Sequence, residues 1–336
     1  MSTVETTVVV FGAYGHTGRF VVAELAARGF VPLPSGRSAD KLAAAFPGLD
    51  TRAASVDDPA SLDRALAGAA AVINCAGPFA VTAGPVLEAA LRAGIPYVDV
   101  AAEIEANLDT FARHADRARE AGIAVVPAMA FYGGLGDLLV TAAMDDWTAA
   151  DEVHVAYGLS SWHPTAGTRE AGAVSRERRG GKRIRYAGGK IEYRDDALPT
   201  LDWDFPEPLG TRPVLGEFSM ADIVTVPSHL PVREVRTYMT TNAAADLSTS
   251  DSAPPADGPS DQTFVVDVLV RYGGDERRVS VSGQDIYAVS APLAVEAVQR
   301  ILNGQTRAVG VASAGKMFDA PDFLDALSGV LKSAGR

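Results

Sequence analysis

Val8-Val9-Val10-Phe11-Gly12-Ala13-Tyr14-Gly15-His16-Thr17-Gly18 decides the fold. Its first four residues form an unbroken β-branched and aromatic run, the pattern of a strand buried on both faces. A glycine turn follows, and Arg19 to Arg28 carry apolar residues at helical spacing up to a stop at Gly29. A strand that runs into a helix through such a turn aims free backbone N–H groups and the positive end of the helix dipole at one point. An anion settles there if no side chain blocks it. Gly12 permits the turn, Gly15 lets the backbone approach phosphates, and Gly18 lets helix and strand pack closely. The expected ligand is a dinucleotide held by Gly12, Tyr14, Gly15, His16, Thr17 and Gly18.

Short strands and helices alternate from the turn to residue 128. Strands are expected at Val31–Leu33, Ala71–Asn74, Tyr97–Val100 and Ala124–Val126. Helices are expected at Asp40–Ala45, Ser61–Ala67, Pro85–Ala93 and Ile104–Ala121. This is the signature of an α/β fold with a Rossmann-type doubly wound parallel sheet. After about Leu139 the strands lengthen and alternate: Val153–Leu159, Lys182–Tyr186, Lys190–Arg194, Phe218–Val226, Glu234–Thr241 and Phe264–Tyr272. Hairpin turns are expected at Ala187-Gly188-Gly189 and Gly273-Gly274-Asp275. The second domain is therefore expected to be α+β, on a mixed or antiparallel sheet. The division is 1–128 for the dinucleotide domain, with 291–336 returning to it, and 129–290 for substrate and dimerisation. The Ala-, Ser-, Asp- and Pro-rich stretch near 242–261 is expected to be a mobile loop.

The end of the second strand chooses the cofactor. Chains that bind NAD place Asp or Glu there for the ribose 2′-hydroxyl. Here Gly36-Arg37-Ser38 stands in that place, with Lys41 a turn later. A guanidinium and a hydroxyl suit a 2′-phosphate through charge-assisted bonds, so the expected cofactor is NADP(H). After the fourth strand, Asn74, Ala76, Gly77 and Pro78 are small or compact enough to let the backbone pass the nicotinamide ribose. Cys75 has no basic neighbour in sequence and reads as a packing residue.

The chain has 336 residues and a formal charge of −12. That length favours two domains. The acidic balance speaks against nucleic acid and against anionic membranes. A single cysteine allows no internal disulfide and suits a reducing compartment. Met1–Thr7 shows neither a basic stretch nor a long apolar run, and no segment approaches the roughly 20 apolar residues that cross a bilayer. A soluble, cytoplasmic protein is expected. No cluster of ligating side chains suggests a metal.

Taken together, the glycine turn, Gly36-Arg37-Ser38 with Lys41-Leu42, Asn74-Cys75-Ala76-Gly77-Pro78-Phe79, and Tyr97-Val98-Asp99 with Glu103 resemble the saccharopine dehydrogenase-like oxidoreductases, a group that includes trans-acting enoyl reductases. The resemblance covers the first 140 residues. Ala166-Gly167-Thr168-Arg169 and Tyr287-Ala288-Val289-Ser290-Ala291-Pro292 are similar to later family segments more loosely. It implies NADP(H)-dependent reduction, with substrate between the Rossmann domain and the second sheet. Many relatives carry a Gly-Phe-Asp-Ser type turn after the last Rossmann strand. This chain has Ala130-Phe131-Tyr132-Gly133-Gly134, with Tyr132 in the Asp position and Asp137 further on.

Hydride transfer needs a proton donor for the second atom. The candidates are Asp99, Glu103, Tyr132 and His163. Phe79 and Trp162 are expected to wall an apolar substrate with Tyr132, Thr168 to contact it, and Arg169 to hold a carboxylate. The bland alternatives are that Glu103 caps a helix, Asp99 bonds backbone at a strand end, and His163 is a loop residue. Tyr186-Ala187-Gly188-Gly189-Lys190 has the Tyr-x-x-x-Lys spacing of short-chain dehydrogenases, but the intervening glycines suit a hairpin and remove the shared helical face that chemistry needs. The expected activity is reduction of an imine or carbon–carbon double bond in a small molecule. The alternatives are a non-catalytic NADP sensor and an NADP-dependent amino or hydroxy acid dehydrogenase. Analogy suggests a homodimer formed through the second sheet.

Overall fold

The computed structural model describes residues 6–249, 253–255 and 258–334. Its first domain threads β1 (Thr7–Phe11), α1 (His16–Ala27), β2 (Val31–Gly36), α2 (Ala39–Ala45), β3 (Arg52–Ala53), α3 (Pro59–Leu66), β4 (Ala71–Asn74), α4 (Phe79–Ala93), β5 (Tyr97–Asp99), α5 (Ile104–Glu120) and β6 (Ala124–Val126). Val8, Val9 and Val10 are fully buried, as a central strand with helices on both faces requires. β2 contains Pro32 and Pro34, yet it pairs with β1 over its length. Its outer neighbour β3 bonds only at Ser35 and Gly36, so the prolines lie where there is no outer strand to receive an N–H. α4 begins at Phe79, six residues before the start expected from the sequence, and carries Pro85 inside it. The Glu103 carboxylate holds its first turn in place, accepting from the N–H groups of Phe79 at 2.7 Å and Ala80 at 3.0 Å.

The second half threads α6 (Gly136–Met144), β7 (Ala150–Leu159), α7 (Ala166–Arg178), β8 (Arg183–Ala187), β9 (Lys190–Arg194), β10 (Thr200–Asp204), β11 (Thr211–Gly216), α8 (Asp222–Thr225), β12 (Val232–Thr240), α9 (Thr241–Thr249), β13 (Thr263–Tyr272) and β14 (Asp275–Gln284). The chain closes with α10 (Ser290–Leu302), β15 (Gly310–Val311), α11 (Ala314–Met317), α12 (Ala320–Ala326) and β16 (Lys332–Ser333). The first sheet runs β15-β6-β5-β4-β1-β2-β3 and is parallel throughout. The second runs β10-β11-β12-β7-β13-β14-β16, with β8 and β9 off that path, and is mixed because β12 pairs with β7 in parallel. The fold is a Rossmann-like parallel sheet joined to a second, mixed-sheet domain.

After β14 the chain comes back to the first sheet. α10 lies against α1, where Arg28 pairs with Glu296, and β15 adds to β6. β16 ends on β14 of the second sheet. Gly188 and Gly189, at φ of 59° and 78°, close the β8–β9 hairpin, while Gly273 and Gly274 close β13–β14. No described helix is long and apolar enough to cross a membrane.

Two stretches differ from the sequence expectation. The strand expected at Phe218–Val226 is a loop leading into α8. Every residue from Met220 to Val226 is buried, so no two-residue period exists to separate strand from helix. The expected loop near 242–261 is helical over Thr241–Thr249, where alanines are concentrated; residues 250–252 and 256–257 lie outside the described residues.

α8 also buries a carboxylate. Asp222 has no exposed surface and accepts the Tyr157 hydroxyl at 2.9 Å on each oxygen. Burial pushes its carboxyl up to about 7, the Tyr157 bond opposes this, and Asp137 adds to the rise. Such an acid contributes stability below its unfolded value of about 4, and that stability is lost as pH climbs towards 7. Asp222→Asn is predicted to stabilise the protein at pH 8 by on the order of 2 kcal/mol and to leave it nearly unchanged at pH 4. Thermal melts at the two pH values check this, and an equal shift at both would contradict it.

Candidate functional site

The glycine turn is shaped by backbone contacts. Gly12 sits at φ +83°, and a Cβ there would lie 2.7 Å from the Ala76 nitrogen. At Gly18 a Cβ would meet the Gly12 carbonyl oxygen at 2.4 Å. The Ser35 carbonyl accepts from Gly12 N at 2.8 Å and Ala13 N at 3.1 Å, tying the turn to the end of β2. α1 starts at His16 with Gly15 as an extended N-cap, no side-chain cap and no acid in its first turn. The N–H groups of His16, Thr17 and Gly18 therefore remain for an anion. At the end of β2, Gly36 makes room for Tyr14, whose ring carbon a Cβ would meet at 2.8 Å. The Lys41 ammonium lies 5.9 Å from that ring, and Arg37 is exposed beside it. Ser38 caps α2 by accepting from Lys41 N at 3.3 Å, so its hydroxyl has a structural task too. The cradle and this basic edge fit a phosphorylated dinucleotide.

A buried hydrogen-bond network forms the floor. Asn74 donates to the Tyr97 hydroxyl at 3.2 Å and accepts from Ala76 N at 3.0 Å. Tyr97 donates to Asp99 at 2.9 Å, and the other Asp99 oxygen accepts from Ala101 N at 3.1 Å and Ala128 N at 2.8 Å. Burial pushes the Asp99 carboxyl up to about 6 against these bonds. Cys75 lies beside it, and burial drives its thiol far above the reactive range. Gly77 is exposed and Pro78 half-buried, leaving open backbone above this floor. Phe79 packs with Ala83, Ala101 and Ala106, its ring edge near Gly77.

The far wall comes from the second half. Tyr132, in the turn before α6, is buried among rings: Phe131 at 4.8 Å, Tyr157 at 4.9 Å and Trp162 at 5.3 Å between centroids. Its hydroxyl is buried and has no hydrogen-bond partner, as are His16 Nε2 and His163 Nδ1. The other His163 nitrogen meets the Ser161 hydroxyl at 3.2 Å. Trp162 is held at both ends: its N–H donates to Asp246 at 2.7 Å, and its indole donates to the Tyr287 hydroxyl at 3.2 Å. Thr168 also reaches Tyr287, at 3.0 Å. The Tyr287 ring stands edge-on to His16 at 5.2 Å, so the wall touches the glycine turn. Burial lowers the His16 imidazole's pKa, and Asp285 opposes this.

The structure thus brings Tyr132, Trp162, His163 and Thr168 to one wall beside the turn. It turns other candidates elsewhere. Asp99 and Glu103 spend their oxygens on backbone N–H groups and on Tyr97. Arg169 donates to the Leu247 carbonyl at 3.3 Å, so α9 holds the guanidinium expected to clamp a carboxylate. Asp137 accepts from Gly315 N at 2.7 Å and meets His229 at 2.8 Å, joining α6 to the C-terminal segment. Tyr186 and Lys190 lie on the two strands of a hairpin. Tyr287, Asp246 and the unpaired His16 nitrogen were missed as site features. Their only sequence signal was the loose resemblance at 287–292 and His16 on the turn.

Fold and turn define a two-domain chain built on a dinucleotide-binding domain. Residues 8–126 match the family model of the saccharopine dehydrogenase NADP binding domain, to which the first domain is similar. A saccharopine dehydrogenase-like oxidoreductase of Bos taurus is 32% identical over 151 residues, covering 39% of this chain and 35% of the relative. A probable mitochondrial saccharopine dehydrogenase-like oxidoreductase of Arabidopsis thaliana is 33% identical over 143 residues, covering 37% and 31%. The matches span about a third of those relatives' length. The solved apo saccharopine dehydrogenase (L-Glu forming) of Saccharomyces cerevisiae shares the fold across both domains, with a TM-score of 0.66 over 98% of this chain and 99% of that one, at 13% identity.

Arg37→Ala removes the exposed guanidinium beside the turn. It is predicted to weaken NADPH binding at least about tenfold and to leave NADH binding unchanged, since the lost bonds are charge-assisted. Fluorescence titration of both cofactors checks this. Unchanged preference for NADPH would contradict the assignment.

Proposed function

We propose that the chain is an NADPH-dependent reductase of an imine or carbon–carbon double bond in a small molecule. The observation that carries this reading is the Tyr132 hydroxyl, buried and without a partner on the wall that meets the cofactor turn. A stranded buried hydroxyl costs about 1–3 kcal/mol, and such a cost is kept where a ligand supplies the missing partner. Bound NADPH supplies a hydride; the chain must supply the proton. Burial, with Tyr287 and Asp222 nearby, holds the Tyr132 hydroxyl well above its ordinary pKa. It stays protonated across the physiological range, so a proton is in place to be given once substrate is bound.

The walls give the substrate its setting. Tyr132 and Trp162 form a buried apolar ring pair, with the unpartnered His163 nitrogen next to Trp162 in the chain and the Thr168 hydroxyl bonded to Tyr287. Gly77 and Pro78 leave the facing backbone open to the cofactor's reactive end. A sensor that only binds NADP would have no use for an unpaired proton donor on this wall.

Tyr132→Phe keeps the ring packing and deletes the hydroxyl. With NADPH and a panel of imines and enones, kcat is predicted to fall about 10²- to 10⁴-fold while NADPH affinity is unchanged. Stability is predicted to rise by up to about 1 kcal/mol, because a stranded polar atom is removed. Steady-state kinetics and urea unfolding read the two effects. Wild-type turnover in the variant would contradict the assignment.

A further inference from the structure

α7 is held in place almost entirely by polar bonds. Of its thirteen residues only Ser175 is buried, so it gains little from apolar burial. Its N-terminal end is bound to Tyr287: the phenol oxygen accepts from Thr165 N at 3.3 Å and from the Trp162 indole at 3.2 Å, and it meets the Thr168 hydroxyl at 3.0 Å. Its C-terminal end is bound to α5 of the first domain: Ser175 donates to Glu105 at 2.5 Å, Arg178 pairs with Asp109 at 2.7 Å, and Arg179 lies 3.6 Å from Glu105. Directly after it come Gly180 and Gly181, both at positive φ, with nothing within 4 Å of where a Cβ would be. They close the helix as a glycine cap, Gly180 N donating to the Glu177 carbonyl at 3.0 Å and Gly181 N to the Arg176 carbonyl at 2.8 Å, so no packed side chain holds the chain there beyond these bonds. The N-terminal end of the helix reaches the cofactor side of the site, where the Gly167 carbonyl is 3.9 Å from the Cβ position of the exposed Gly77.

An element with few apolar contacts, tied by side-chain bonds at both ends, belongs to the low-stability part of a structure from which lids are drawn. We propose that α7 is a lid over the Gly77 side of the cleft, that the Tyr287 hydroxyl is its latch, and that Tyr287 couples the latch to cofactor binding. The coupling follows from contact. The Tyr287 ring rests edge-on against His16, the first helical residue after the phosphate turn, and the buried His16 Nε2 has no partner of its own. His16 also stands edge-on to Phe20 at 5.1 Å, so a pyrophosphate bound at the first turn of α1 would bear on Tyr287 through this packed imidazole. Asp285 holds the tyrosine at the right height: its carboxylate accepts from Tyr287 N at 2.8 Å, Ala288 N at 3.0 Å and Ser260 N at 2.6 Å. Tyr287 is thus a positioning residue. It acts through α7 and His16, and the inference rests on the cofactor reading of the turn but not on the reaction assigned to Tyr132.

Hydrogen exchange read by mass spectrometry on the full chain tests this, with and without NADPH. In the wild type, NADPH is expected to slow exchange over 12–18 and over 165–178. In Tyr287→Phe, which loses the phenol's bonds and keeps the ring, exchange over 165–178 is expected to quicken at least about tenfold, with amides of β13 unchanged. NADPH should then still protect 12–18 but no longer 165–178. Thr168→Val, close in shape and losing one bond, should fall between wild type and Tyr287→Phe. Wild-type exchange over 165–178 in Tyr287→Phe would overturn the latch. NADPH that protects 12–18 of the wild type without slowing 165–178 would overturn the coupling. Failure of NADPH to protect 12–18 in the wild type would instead overturn the cofactor reading and the coupling with it, while the comparison without NADPH still decides the latch.

Discussion

The Asp99 carboxylate is the node on which the site rests. It sits at the end of β5 with no exposed surface and takes three hydrogen bonds, from the Tyr97 phenol and from the backbone of Ala101 and Ala128. Through Tyr97 it reaches Asn74 at the end of β4, and Asn74 fixes Ala76 N, the atom that a Cβ on Gly12 would meet at 2.7 Å. One buried acid therefore aligns the carboxyl ends of the central strands and the turn between β1 and α1. A carboxylate so deeply buried is costly unless every oxygen is bonded, and here each is. The same commitments take Asp99 out of the running as a proton donor.

The second half works by complementary means. Its wall is assembled from rings rather than charges, and those rings are oriented by polar groups drawn from distant parts of the chain. Asp246 of α9 holds the Trp162 backbone, Leu247 takes Arg169, and Gln262 donates to the Ser161 carbonyl at 2.6 Å. Fixed groups surround three atoms left unpaired, on His16, Tyr132 and His163. Buried polar atoms without a partner are rare in native proteins, and a ligand is one source of the missing bonds.

Much of the first domain was legible because its signals are local. Val8 to Gly18 states strand, turn and helix in eleven consecutive residues, and Gly36-Arg37-Ser38 declares its chemistry at the strand end. Helix boundaries set by distant partners were not legible. α4 begins at Phe79 because Glu103, far along the chain, meets its first N–H groups, while Pro85 suggested a later start. α9 was hidden by the composition of the stretch that follows it. In the site, Tyr132 and Trp162 could be proposed from their ring chemistry. The roles of Glu103 and Arg169 depended on partners that only folding brings near, and Tyr287 gained meaning only where it touches both His16 and Trp162. Long-range hydrogen bonds leave no periodicity in sequence, so the floor and the latch had to be read from the structure.

We place the meeting of the cofactor's reactive end and substrate between the glycine turn and the Tyr132–Trp162 wall. A crystal structure with NADPH tests it most directly. The pyrophosphate is expected over the first turn of α1 and the nicotinamide over Gly77 and Pro78, facing Tyr132. A nicotinamide lying away from that wall, with Tyr132 sealed from it by protein, would contradict the claim.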